Sequence, residues 1–377
     1  MSDDWRPTIQ CVAAVDRDRV ALALADLEYD DPFSVVLLYD RLATEPDPQP
    51  WGRIDVPREV TAICPFDPSG AAARAEYAIL SNEGDVYLTA TPDGRVSPEK
   101  IPGAGVLSAD ADGRGALYGL AVADGLLHAC GTGGQVHRRS ADGRWSDISP
   151  PLSRHDGYDA PAFARLVPLH GGGVAVLGGR RPESGATAFG ADPAFKADMT
   201  AEEFMALFQK HNAASGTGPT KAAGYVLRGD DWREIAVDAE GSISDAGIGP
   251  GGKLMAVTDG GALLEGGAEE GLRDLLSAVD PHAFTALEPL GAATNGQPVL
   301  ASLHALHRFD GHLLHPLRPV VGAERAALGL NPVGLASVEG GFLYADANLS
   351  LLFRDADGWR ELSIPPALTE RTYAPRG

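Results

Sequence analysis

The sequence predicts an all-β fold, a seven-bladed β-propeller of four-stranded antiparallel blades with a helical insertion in blade 4. Three observations carry this expectation. A short strand led by tryptophan recurs along the chain, as WGRIDV from Trp51, WSDI from Trp145, WREIAV from Trp232 and WRELSI from Trp359. The turn formers, 46 Gly and 28 Pro in 377 residues, are spread evenly rather than clustered, the pattern of many short strands rather than of disorder. One interval between the recurring strands, from Trp145 to Trp232, is too long by about one whole repeat of roughly 42 residues.

Copies that lack the tryptophan fall where the spacing requires them: VSPEKI ending at Ile101, LRDLL from Leu272 and LLHPL from Leu313. A unit of about 40 to 50 residues with four short strands is a propeller blade, which buries its two faces only against neighbouring blades. The central strands of each sheet should then be apolar on both faces. VALALADL from Val20, FSVVLLY from Phe33, VAVLGG from Val174 and PVLASL from Pro298 are.

The blades are expected at Ile9 to Val56, Glu59 to Ile101 and Ala116 to Ile148. Blade 4 starts near Phe163, breaks off after Gly179 and resumes at Gly224. The remaining three are Gly241 to Leu276, Phe284 to Leu317 and Gly329 to Ile364. In blade 3, LLHACGTGGQVHRRSADGRWSDI (Leu126 to Ile148) reads as three strands joined by a glycine-rich turn and an Asp142-Gly143 turn. Trp5, about one unit before Trp51, is also in phase. A surplus strand at the ring closure and a chance match both remain open for it.

The whole chain, 1–377, reads as one propeller domain, with 180–223 an excursion between the second and third strands of blade 4. Within it MTAEEFMALFQKHNAAS (Met199 to Ser215) is expected to be a helix. Thr200 and Glu203 form a capping box, Phe204, Leu207, Phe208 and His211 share one face, and Gly216 supplies the stop.

GTGGQVHRRSADGRW (Gly131 to Trp145) and FRDADGWREL (Phe353 to Leu362) resemble the YVTN and bacterial-neuraminidase-repeat class of propellers, which includes photosystem II assembly-factor-like and sialidase-like proteins. There a small-residue hairpin precedes an Asp-Gly turn and a Trp. The sialidase Asp-box reads S-x-D-x-G-x-T-W, whereas Ser140, Asp142, Gly143 and Trp145 give S-x-D-G-x-W, one residue shorter before the Trp. The resemblance implies the fold and carries over no catalytic residue.

The formal charge of −21 excludes a basic stripe for nucleic acid and would steer a basic protein toward this surface. The N-terminus has no signal-peptide pattern and no run is long enough to span a membrane, so a cytoplasmic protein is expected. Cys11, Cys64 and Cys130 are expected to be reduced, buried thiols. Ser-His-Asp catalysis has no G-x-S-x-G to support it. GTGG and HGGG (His170 to Gly173) do not open helices, as a phosphate loop would, and read as hairpin turns. His304, His307, His312 and His315 are the best metal candidates, but alternation puts His304 and His307 on opposite faces of a strand. Asp110, Asp112 and Gly113 form half of a calcium loop and lack its later acid. No metal and no cofactor are expected.

Links between blades should share one face of the ring with the loops joining second to third strands. That face gathers EYDDPF (Glu28 to Phe33), SRHDGYDAPAF (Ser153 to Phe163), the insertion, DPHAF (Asp280 to Phe284) and GAER (Gly322 to Arg325). The expected binding residues are Tyr29, Asp30, Asp31, Arg154, His155, Asp156, Tyr158, Asp159, Arg180, Arg181, Phe204, Phe208 and His211, an aromatic, arginine and acidic rim suited to recognition. The expected function is a monomeric, non-enzymatic protein-binding module, in its concrete form an immunity-type or antagonist protein for a basic partner such as a bacterial toxin. The competing expectation is a hydrolase or lyase acting on a glycan or small molecule at the central channel, with His155, Asp159 and the rim arginines as first suspects.

Overall fold

Seven separate four-stranded sheets, each built from four consecutive strands, form the structure. It is a computed structural model, and it describes residues 5–26, 33–41, 50–67, 76–90, 95–151, 158–182, 219–276, 283–291, 293–320 and 329–370. The blades occupy 8–56, 60–100, 117–147, 162–235, 243–274, 284–317 and 332–361, as the repeat spacing predicts. The first strand of every blade touches the first strand of the next, and that of blade 7 touches that of blade 1. The ring is therefore closed around a channel walled by first strands. Blade 4 is interrupted between its second strand (Val174–Arg180) and its third (Lys221–Arg228), so Arg180 and Lys221–Ala223, which the sequence assigns to the excursion, belong to the sheet. The expected helix, Met199 to Ser215, lies outside the described residues.

Burial follows strand position. The second strand of blade 1, Arg19–Ala25, is buried at all but its first residue, and the second strand of blade 7, Gly341–Asp346, is buried throughout. The outer strands, such as Trp51–Val56, are largely half-buried or exposed. The core is divided into seven clusters, and each is shared by two neighbouring blades. No blade has a core of its own, which is the physical reason a single blade would not fold.

One irregularity repeats seven times. Near its start, every first strand carries one extra residue relative to the second, a β-bulge. The bulged residues are Gln10, Thr61, Tyr118, Ala164, Ser244, Thr285 and Val333. A bulge kinks the strand and re-aims the side chains that follow. Two of these residues also tie blades together. The Ser244 hydroxyl donates to Phe284 O in blade 6 (2.6 Å), and that of Thr285 reaches Pro332 O in blade 7 (3.4 Å).

Tryptophans of the outer strands act between blades. The Trp145 indole N–H donates to Glu99 in the outer strand of blade 2 (2.9 Å), and that of Trp232 to Ile148 O after blade 3 (2.8 Å). Ser140 accepts from Arg144 N (3.0 Å) and, with Gly143 at φ +86°, closes the turn that presents Trp145. Trp5 does the same at the seam. Among the described residues no strand is exchanged between blades 7 and 1. Instead the Trp5 indole donates to Thr369 O (2.8 Å) in the short helix Pro366–Thr369 that follows blade 7. Arg53 of blade 1 donates to Leu368 O (2.9 Å) and Glu370 O (2.7 Å). Trp5 also packs edge-on against Phe33, with ring centres 5.5 Å apart. Trp5 is thus a clasp at the closure and not a surplus strand.

Replacing Trp5 by alanine should lower unfolding stability by ~1–3 kcal/mol through lost aromatic packing and a lost hydrogen bond. Trp5→Phe should recover the packing and lose only about 0.5–1.5 kcal/mol. Urea unfolding followed by fluorescence of the remaining tryptophans tests both, and an unchanged midpoint for Trp5→Ala would refute the clasp.

Candidate functional site

Two regions can hold a partner or ligand: the channel, and the face carrying the links between blades. The bulges build the first. The residues after the bulges occupy seven equivalent positions, Cys11, Ala62, Gly119, Arg165, Asp245, Ala286 and Gly334, and all but Ala286 line the central cavity. Five are small. The two charged ones sit in adjacent blades and pair, Arg165 Nε to Asp245 Oδ1 at 2.8 Å. Asp245 also accepts the backbone N–H of Ala246 (2.9 Å) and of Leu287 in blade 6 (2.8 Å), so one carboxylate ties three blades. Burial opposes the Arg165 charge, but Asp245 outweighs it and the guanidinium is held more firmly protonated than usual. The remaining cavity, about 190 Å³, is lined also by Gln10 and Thr61. Burial pushes the Cys11 thiol up to about 12, which leaves it protonated and unreactive at neutral pH. Burial does the same to Cys64 and Cys130.

The link face is assembled around the break in blade 4. Tyr158, in the link from blade 3, bridges Pro182, and Asp159 N donates to Arg181 O (3.0 Å). On the returning arm, Lys221 bridges Glu240, Ala222 N donates to Ala239 O (3.0 Å) and Gly241 N to Thr220 O (2.8 Å). Both arms of the interruption are thus bonded to the links on either side, which places them on one face as the alternation of connections requires. The Lys221 ammonium lies 5.7 Å from the Tyr158 ring centre. Arg180 is buried. Its guanidinium contacts the Tyr225 hydroxyl and ring and pairs with Glu234 Oε1 at 3.0 Å. A groove of about 1170 Å³ runs outward from here between blades 4 and 5, walled by Tyr158, Arg180, Lys221 and Glu234 on one side and Lys253 and Glu265 on the other.

Of the binding residues expected from sequence, the structure brings together Tyr158, Asp159, Arg180 and Arg181. Tyr29, Asp30, Asp31, Arg154, His155, Asp156, Phe204, Phe208 and His211 lie outside the described residues. The Arg165–Asp245 pair was not legible from motifs. It appears only when the seven first strands are aligned on the buried apolar residue before each bulge (Ile9, Val60, Leu117, Phe163, Ile243, Phe284 and Pro332).

The remaining chemical candidates resolve as turns and packing. HGGG forms the first hairpin turn of blade 4, with Gly171, Gly172 and Gly173 all at positive φ and Gly173 N bonded to Asp124 (2.9 Å). GTGG closes a single 3-10 turn. Asp112 binds Arg114, and Asp110 accepts Gly103 N. In blade 6 His307 pairs across the ladder with Pro316, and Arg308 with His315, so the two histidines face opposite ways. His315 instead bonds Asp310 at 2.6 Å. Among the described residues no group of three His, Cys, Asp or Glu could hold a metal ion, and no helix is long and apolar enough to cross a membrane.

The fold and the channel define a seven-bladed β-propeller, and comparison with solved structures agrees. The chain is similar to YCF48 bound to D1 peptide, with 13% identity over 93% of this chain and 94% of that one and a TM-score of 0.54. It is also similar to YCF48 from Cyanidioschyzon merolae, with 11% identity over 94% and 97% and a TM-score of 0.54. A third likeness is to PorZ, a surface component of the type-IX secretion system of Porphyromonas gingivalis, at 11% identity and a TM-score of 0.52. It covers 96% of this chain but only 38% of PorZ. At these identities the likeness is one of fold. No protein-family model and no curated protein matches the sequence.

Asp245→Ala would leave the partly exposed Arg165 and the Leu287 amide without this partner and should cost ~1–3 kcal/mol, whereas the double change Arg165→Leu/Asp245→Ala should cost less than the single one. Denaturant unfolding of the two variants distinguishes this lock from an incidental pair. A second test uses His137, which is buried in blade 3. Desolvation lowers it to about 4 despite the nearby Asp147 charge. A histidine held neutral in the fold and free to charge in the unfolded chain makes stability fall as pH drops from about 6.5 toward 4, by ~2 kcal/mol at pH 5. His137→Gln should remove that part of the difference between urea midpoints at pH 7 and pH 5, and an equal difference in both proteins would disprove it.

Proposed function

We propose that this propeller is a protein-binding module that engages its partner through the link face, with residues 180–223 as an inserted excursion of the same domain that adds to the contact. The observation carrying this is that four of the eight exposed large apolar side chains among the described residues, including the two most exposed, Leu107 and Val320, stand on that face. Val106 and Leu107 stand in the link from blade 2 to blade 3. Leu303 stands in the turn between second and third strands of blade 6, and Val320 in the link from blade 6 to blade 7. They lie on opposite sides of the channel mouth, interspersed with Asp159, Asp238 and Glu240. Apolar anchors within a charged surround are the usual make-up of a recognition surface. A solved propeller of similar fold is bound to a peptide, which supports the reading that such a ring can hold polypeptide.

The finer form of the reading is an immunity-type or antagonist protein for a basic partner. The net charge of −21 favours fast, steered association with such a protein. The alternative, hydrolysis of a glycan in the channel, draws no support from the described channel wall. Its one carboxylate there, Asp245, is bound to Arg165, while that chemistry needs two carboxyl groups about 5 to 10 Å apart.

The test is affinity purification of the full chain from its host, followed by amide hydrogen exchange of the reconstituted complex. Protection should appear at 101–116, 158–161, 219–223 and 236–241, and not at the opposite-face turns 169–173 and 249–253. Protection confined to those turns, or failure to recover any protein partner, would overturn the proposal.

A further inference from the structure

The link between blades 2 and 3 is built differently from an ordinary connection. The Glu83 side chain, in the turn between second and third strands of blade 2, belongs to a residue only 4% exposed. Its carboxylate accepts three consecutive backbone N–H groups, from Val106 (3.2 Å), Leu107 (2.9 Å) and Ser108 (3.0 Å), and the Ser108 hydroxyl (3.1 Å). Lys100 Nζ braces the same corner, bonding Glu83 O and Ser108 Oγ (2.7 Å). Gly105 pairs with Gly115 across the base of the loop. Burial alone would raise the Glu83 carboxyl, but the Leu107, Val106 and Ser108 donors outweigh it and hold it below the usual range. The carboxylate is therefore ionised, and its bonds are intact, at neutral pH.

The loop has its own anchors. Ile101 and Ala104 are fully buried in the cluster shared by blades 2 and 3. Val106 and Leu107, two residues further on, are held the other way, 62% and 82% exposed. Packing of the link does not explain them, since Ile101 and Ala104 already supply it. Fixing the backbone of an exposed apolar pair removes in advance the ordering cost that weakens most loop contacts. Carboxylates flank the pair: Asp110 and Asp112 within the loop are both exposed.

We propose that Val106 and Leu107 are a preorganised apolar anchor, positioned by Glu83, that inserts into an apolar pocket with a basic rim on a protein partner. This rests on the protein-binding reading above and names the contact within it. A partner of that charge fits the exposed Asp110, Asp112 being already paired with Arg114, and the net acidity of the chain. The same negative charge would oppose a second copy of this acidic chain or an anionic membrane at the same spot.

The experiment uses the full chain and the purified protein recovered with it, with affinity measured by calorimetry. Capture alone does not count as support. Val106→Ser/Leu107→Ser should weaken binding at least thirtyfold. Glu83→Gln, which keeps the apolar pair but replaces an acceptor with a donor, should weaken it about tenfold with thermal unfolding still cooperative. Leu313→Ser, at a leucine 64% exposed on the opposite face, should leave binding unchanged. If the double serine variant binds as wild type while the link face is still protected, the anchor is disproved and the protein-binding reading stands. If no protein is recovered, both fall. Two further outcomes would overturn the anchor's assignment to a protein partner: a concentration-dependent dimer lost in the double variant by sedimentation equilibrium, and co-sedimentation of the wild type with phosphatidylcholine–phosphatidylglycerol vesicles lost in the same variant.

Discussion

Every sheet in this ring depends on the contact between blades 7 and 1. A four-stranded sheet here buries its faces only against neighbours, so an opened seam would expose one face of each of two blades at once. Many rings could be secured by lending a strand across such a seam, but here each blade is one unbroken stretch of chain order. Side chains hold it instead. Leu22, Leu24 and Leu37 of blade 1 pack with Leu343, Leu351 and Phe353 of blade 7, and Trp5 and Arg53 fasten the segment after the last strand. The seam is therefore closed by apolar burial reinforced by hydrogen bonds to a handful of carbonyl oxygens, and both ends of the described chain are needed for it.

The centre of the ring obeys a second constraint. Seven first strands converge there, each with a bulge, and the residues after six of the bulges line the cavity. Small residues at five of those positions leave the space that Arg165 fills, and the neutral Arg165–Asp245 pair spans adjacent blades while Asp245 reaches a third. Asp245 is largely buried and Arg165 about one-third exposed, and their pairing offsets this partial loss of hydration. The Arg165–Asp245 pair accordingly makes the channel wall part of the scaffold.

The acidity of the chain has two uses that sequence alone does not separate. Several carboxylates are consumed as turn staples. Asp310 accepts His312 N and Leu313 N, Asp346 accepts Asn331 N and Asn348 N, and the buried Glu288 accepts Leu290 N and Gly291 N together with the Ser337 hydroxyl. Others, such as Asp110, Asp238 and Glu240, stand on the link face where a partner would meet them. Both kinds contribute to the long-range field, but only the second can form contacts. Glu83 belongs to both descriptions, since it staples a loop and thereby fixes what that loop presents.

The blade count, the blade limits and the site of the interruption in blade 4 were legible in the sequence. Tryptophan spacing and alternating apolar runs are local consequences of strands that pack face to face, and they survive in one dimension. Trp145 and Trp232 could be recognised as outer-strand markers, yet the fact that each bonds the preceding blade could not, because their partners are 46 and 84 residues away. Trp5 was undecided for the same reason. The Arg165–Asp245 pair, the Glu83 cradle and the grouping of Tyr158 and Asp159 with Arg181 join residues from different blades or loops, and no local pattern marks them. Sequence determined the repeating unit, because each strand's burial is written in its own residues. Only the closed ring decided which side chains meet, because proximity comes from stacking one blade upon the next.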